Sequence, residues 1–340
     1  MTRQFRLLGS LLLLTAFASG ANTFQAPLVE KSLLLDAATD KATVVVGERG
    51  HVIVSTDGGS SYQQRQLPIV TTLTAVDLRD DNIWVAGHDA TIMHSADLGM
   101  NWEVQLHEPD LQRPFLDILF FDDKHGVASG AYGLFYRTED GGKTWQSEKH
   151  ASLLNPLDLE YLNEIRLEDE DFYEQELSSI LPHLNRLTRF DDRLYIAGEQ
   201  GLLAVSDNKG RSWERFDVDY AGSFFDITPV TNDTIMAAGL RGTVYLKSVE
   251  GTWQRVNSCT TSTLNTIVKS DNDTLVIVGN NGAVLTVDIP KLLANPDAAC
   301  TTNGVVRAQL ETKSAIATLI NHASSMTAVT SDGLQPLVVK

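Results

Sequence analysis

An octad that returns four times constrains this chain more than any other feature of its sequence. It reads Ser/Thr-x-Asp-x-Gly-x-x-aromatic, as Ser55 to Tyr62, Ser95 to Trp102, Thr138 to Trp145 and Ser206 to Trp213, with Asn208 in the Asp place. Its chemistry is that of a tight turn between two strands. Asp57, Asp97, Asp140 and Asn208 can accept hydrogen bonds from backbone N–H groups just after them, and Gly59, Gly99, Gly142 and Gly210 supply positions where positive φ is free. Tyr62, Trp102, Trp145 and Trp213 then return to the protein as anchors. Folding alone accounts for every residue of the octad, so these acids read as structural and not catalytic.

A second signature shows how far the repeat extends. Two small or apolar residues followed by Gly-x-x-Gly occur at Gly47, Gly130, Gly198, Gly239 and Gly279, with weaker copies at Gly87 and Thr330. These seven positions are 40, 43, 68, 41, 40 and 51 residues apart. Four short strands with their turns need a period near 40, the length of a propeller blade. The expected fold is therefore all-β, a seven-bladed propeller of four-stranded antiparallel blades over residues 22–340. The seventh unit stops at Leu337 to Lys340, read as its third strand, while Phe24 to Glu30 sits where a fourth strand belongs. The N-terminal segment is thus expected to pair with the last unit and close the ring, removing an exposed edge.

The long spacing marks an interruption at residues 146–186. Asn155-Pro156 suits a helix start, and Leu159, Leu162 and Ile165 share a helical face, as do Tyr173, Leu177, Ile180 and Leu181 on a second segment ended by Pro182. Nine acids against the lone Arg166 fall between Asp158 and Glu176. The expectation is a short acidic helical insertion between blades three and four, either docked on the blades with its acids in water or binding a partner. In an antiparallel blade the turn from strand two to three shares a face with the connection to the next blade. The insertion is therefore expected beside the Gly-x-x-Gly turns, opposite the octads. Residues in those turns, Arg49, His88, Tyr132, Glu199, Arg241 and Asn280, together with Leu162 and Tyr173 of the insertion, are the candidate partner-binding set.

Residues 1–21 read as a secretory signal: Arg3 and Arg6 precede the apolar run Leu7 to Ala18, and small residues follow. No later stretch has the length and hydrophobicity of a membrane span. Export to the periplasm, or secretion, is expected. Removing the segment takes away two arginines and no acid, so the formal charge goes from −17 to −19. Such a surface repels phosphate backbones and disfavours nucleic acid as a partner. In an exported chain Cys259 and Cys300, 41 residues apart, could form one disulfide across neighbouring blades or remain as two thiols.

The octad and the Gly-x-x-Gly signature at a period near 40, on an exported chain, make the sequence resemble the photosystem II assembly and stability factor family of propellers, and in particular its bacterial relatives outside photosynthesis. The resemblance covers about residues 24–340 apart from the insertion. It implies a non-enzymatic, monomeric helper of membrane-protein assembly that needs no cofactor and binds a protein partner, a transporter or an assembly complex. In photosynthetic members a basic, Arg-rich patch is associated with partner binding; in this chain Arg49 and Arg241 sit in the matching turns. The alternative is a sialidase-like or other Asp-box glycosidase, since such enzymes share the octad. Against it, the Arg-Ile-Pro motif usual near the first blade is absent, the sole Arg-Pro being Arg113-Pro114. The histidines form no His-x-His or His-Glu-x-x-His pattern, and there is no Gly-x-x-x-x-Gly-Lys or Gly-x-Ser-x-Gly turn, so metal, nucleotide and serine-hydrolase chemistries find no support.

Overall fold

The computed structural model describes residues 25–248, 251–300, 302–322 and 325–337. The signal-like segment, Phe24 and Val338 to Lys340 lie outside them. The described residues form seven antiparallel sheets, each a meander of consecutive strands; six have four strands and the seventh has three. Sheet one runs Leu34–Thr39, Thr43–Gly47, Val52–Ser55 and Gln63–Arg65, and the later sheets repeat this plan. The first strand of each sheet touches the first strand of the next, and the first strand of sheet seven touches that of sheet one.

Seven apolar clusters hold these sheets, one at each sheet-to-sheet interface. Leu73, Val76 and Val85 meet Val44, Val46 and Val54 between sheets one and two, and Leu34, Val45 and Ile53 meet Ile320 and Val329 between sheets one and seven. Inner strands are therefore apolar on both faces, as in Thr43–Gly47, where every residue is buried. Alternation of polar and apolar residues, the usual mark of a strand with one wet face, survives only toward the rim.

The opening of each Gly-x-x-Gly turn has a steric cause. The backbone at Gly47 is extended, so φ makes no demand for glycine, but a Cβ there would lie 2.2 Å from the Leu33 carbonyl oxygen. At Gly87, Gly130, Gly239 and Gly279 the same atom would lie 1.9 to 2.2 Å from the equivalent carbonyl. Strand one bulges at this contact in all seven sheets, for example between Leu34 and Asp36. In sheet seven Thr330 replaces the glycine and its hydroxyl donates to the Gly333 carbonyl.

Two expectations about the chain ends need correction. Gln25 to Glu30 do not form a strand: they make a turn followed by the 3-10 helix Val29–Lys31. This turn lies against the seventh sheet where the Gly333 Cα comes close to the Glu30 carbonyl, and Pro27 interrupts any ladder that the segment would have to donate to. Sheet one instead meets sheet seven through side chains, and no strand is shared between them among the described residues. The third strand of sheet seven is Gly333–Pro336, tight against its turn; of the stretch Leu337 to Lys340 expected in that place, all but Leu337 lies outside the described residues.

Between sheets three and four stand the helices α1 (Pro156–Glu168) and α2 (Glu170–Ile180). Asn155 caps α1 by accepting from the Asp158 N–H, and Asp169 caps α2 by accepting from that of Phe172. A further short helix, α3 (Ile289–Ala294), fills the connection to the fourth strand of sheet six. Among the described residues no helix is long and apolar enough to cross a membrane.

Candidate functional site

The octads close on themselves. Asp57 accepts from the Ser61 N–H and hydroxyl and from the Ser55 hydroxyl, while Ser55 Oγ accepts from the Gly59 N–H. Asp97 and Asp140 repeat the pattern with Asn101 and Thr144, and Asn208 accepts from the Ser212 N–H while its side-chain amide donates to the Ser212 hydroxyl. These bonds hold the Asp57 and Asp97 carboxyls down at about 2, the Ser61 hydroxyl and the Asn101 side-chain amide being their largest causes. Gly59, Gly99, Gly142 and Gly210 all have φ between 79° and 87°. The neighbouring octads also brace one another, Arg137 donating to the Lys209 carbonyl and Arg211 pairing with Glu139. Trp213 is buried, whereas Trp102 and Trp145 are half-buried against their interfaces.

The opposite rim carries the Gly-x-x-Gly turns, and in six of the seven the second residue between the glycine positions is left-handed: Arg49, Asp89, Tyr132, Gln200, Arg241 and Asn281 have φ between 52° and 59°. This conformation points their side chains out of the turn. Arg49, His88, Tyr132, Arg241 and Asn280 are exposed, and Glu199 is half-buried near His183.

The helices sit on this rim. The Gly133 N–H donates to the Pro182 carbonyl, and a Cβ at Gly133 would collide with Leu181. Arg113 donates to the carbonyls of Tyr132 and Ser178 and stacks over the Tyr132 ring, whose edge meets His183. On the other side Asn155 donates to Gln200, and Arg215 donates to the carbonyls of Leu153 and Gln200. The turns of sheets three and four are thereby bolted to the helix pair.

Leu162 and Tyr173 do not present their side chains to solvent. Leu162 is 0% exposed and Tyr173 is buried beside it, with Leu154, Leu177 and Leu181 completing a small core formed within residues 151–181. The apolar stripe that made them candidates packs the two helices against each other and against the segment that leads into them, and Leu181 also meets the blade turn at Gly133. The outward residues are Leu157, Tyr161, Leu167 and Phe172, with Leu167 88% exposed among Glu160, Glu164, Glu168 and Asp171. A solvated leucine within an acidic helix carries no periodic signal, so no sequence pattern pointed to it.

Two further clusters also escaped the sequence. Arg241, Arg255 and Arg307 line one cavity of about 590 Å³ between sheets five and six, beside the joined Cys259 and Cys300, whose Cα atoms are 5.5 Å apart. Around the axis, the residue two after the first apolar residue of strand one is Asp36, Asp117, Arg186 or Asp226 in sheets one, three, four and five. Arg186 Nη1 lies 3.7 Å from Asp36 Oδ1 and 3.8 Å from Asp117 Oδ1, which places sheets one, three and four around a common centre. Asp36, Asp117 and Asp226 each also accept a backbone N–H from the following sheet, at Val76, Leu187 and Ile267. Burial drives the Asp117 carboxyl up to about 7 against the pull of Arg186, and burial raises Asp36 and Asp226 likewise. An Asp in an apolar strand was the available signal. Among the described residues no three potential ligands converge on a metal position.

The profile of the family described as photosynthesis system II assembly factor YCF48 matches residues 21–112 and 104–287. A photosystem II assembly lipoprotein Ycf48 of Synechococcus sp. (strain CC9902) is 28% identical over 108 residues, 30% of this chain and 32% of that relative, so the match spans about a third of the relative's length. The solved structure of YCF48 bound to D1 peptide superposes with a TM-score of 0.65 at 15% identity, covering 94% of this chain and 96% of that one. YCF48 from Cyanidioschyzon merolae gives 0.64 at 17% identity, over 92% and 97%. At such identities the two structures establish the propeller fold.

Proposed function

The chain belongs to the photosynthesis system II assembly factor YCF48 family, and on that premise we propose that it is a non-enzymatic assembly factor or scaffold outside the cytoplasm, holding a protein segment of a membrane complex or transporter on its Gly-x-x-Gly rim. The observation that carries this reading is the asymmetry of the two rims. Octad carboxylates and hydroxyls are consumed by their own turns, whereas the other rim presents Tyr132, 49% exposed, beside a helix pair with outward-facing apolar side chains. A relative solved with a peptide of the D1 protein supports a peptide-sized ligand. The disulfide between Cys259 and Cys300 and the apolar run after Arg6 support an oxidising, exported setting, the periplasm.

Affinity capture from detergent-solubilised envelopes of the native host tests the reading. The wild-type chain is expected to retain one membrane protein reproducibly, Leu167→Ser/Phe172→Ser to lose most of it, and Ser60→Lys on the octad rim to keep it. Equal retention by both variants, or no specific protein on the wild type, contradicts the proposal.

A further inference from the structure

We infer that the groove between the start of α1 and the segment 215–221 is the subsite for a basic, amphipathic peptide segment of the partner; this rests on the reading above and specifies the chemistry of what is held. The groove encloses about 670 Å³, with Leu157, Phe216, Val218 and Tyr220 as its apolar floor and lip. Leu157, 77% exposed, stands at the first turn of α1 where no described residue covers it.

Its charge selects the occupant. Asp158, Asp217 and Asp219 line the groove, and Glu160 and Glu164 continue the negative edge along α1. Among the described residues of the wall the one cation, Arg215, donates to the carbonyls of Leu153 and Gln200 and faces three carboxylates on the same wall. An acidic segment would set its own carboxylates against these and bring no side-chain donor to them, while a neutral polar one would leave the charges uncompensated. A segment with apolar residues facing the floor and Lys or Arg facing the rim satisfies both surfaces. The geometry also accounts for Leu157: a leucine beside three carboxylates is costly to hydrate and gains once an apolar side chain covers it.

The test uses the purified chain and two fluorescein-labelled 14-residue peptides, one of Leu and Lys in amphipathic order and one with Glu for every Lys, read by anisotropy. The Lys peptide is expected to bind, to weaken as salt rises, and to lose affinity roughly tenfold against Asp217→Asn/Asp219→Asn and again against Leu157→Ser, because rim charges and a buried contact are removed. These residues are exposed, so unchanged thermal unfolding verifies that the variants are folded. Equal binding of the Glu peptide, affinity indifferent to both variants, or no binding of the Lys peptide overturns the inference. If the wild type still captures its membrane protein while the Lys peptide fails, the subsite falls and the assembly-factor reading stands.

Discussion

Individual residues divide into those whose conformation demands glycine and those whose packing does. Gly58 has φ 71° with open space around it, so alanine there meets only the left-handed penalty, about 1 kcal/mol. Gly239 is extended, yet its Cβ would lie 2.1 Å from the Ser223 carbonyl oxygen, and backbone cannot swing away like a side chain. Urea titration is expected to give Gly239→Ala a loss of roughly 3 kcal/mol or more, since a strand must shift. Titratable residues divide similarly, with opposite signs. Asp57 and Asp97 are depressed, so what they contribute is present above the ordinary carboxylate range and lost as pH falls toward 2. Asp117 is raised, so its protonated form favours the fold and that contribution is lost as pH rises from about 4 through 7. Calorimetry is expected to find the highest unfolding midpoint between about pH 4 and 6 and a fall on the order of 5 °C by pH 8.5. A midpoint flat across that window would show that the axial carboxyls are charged throughout.

At the scale of elements, α1 and α2 are a bracket whose inner face is core and whose outer face is free. Leu162→Ala removes a fully buried side chain and is expected to cost about 2–5 kcal/mol, while Leu167→Ser on the outside stays within about 0.5 kcal/mol. The two measured by the same urea titration decide whether the inner stripe holds the helix pair together. Much of this level was legible beforehand: the strands, the seven turns, the helices and the rim they share all followed from period, turn chemistry and Pro156 and Pro182. The purpose of the stripe was not, because a periodic leucine looks the same whether it meets the chain's own blades or a partner. The N-terminal turn was misread for a related reason. Counting strands assigns a vacancy to the only segment left, but Pro27 removes a donor and turns the chain before it can pair. The axial Asp36, Asp117 and Asp226 were hidden in strands that read as apolar runs.

Across the whole molecule, one cation near the axis serves several carboxylates. Arg186 faces Asp36 and Asp117 directly, with Asp226 close enough to be felt. Replacing it by Met leaves buried carboxyls without their counter-charge, an expected loss of about 3–5 kcal/mol at pH 8 that shrinks toward pH 5 as they protonate. A pH-independent loss in urea titrations would mean that Arg186 acts by packing alone. The proposed function gives the two rims different tasks, hairpins that tie the blades on one side and a docking surface on the other. Photo-cross-linking in the native envelope tests that division most directly, with benzoylphenylalanine placed singly at Tyr132 and Leu167 on one rim and at Ser60 and Lys143 on the other. The account predicts the same membrane-protein adduct from the first pair and none from the second; adducts from Ser60 and Lys143, with silence at Tyr132 and Leu167, would contradict it.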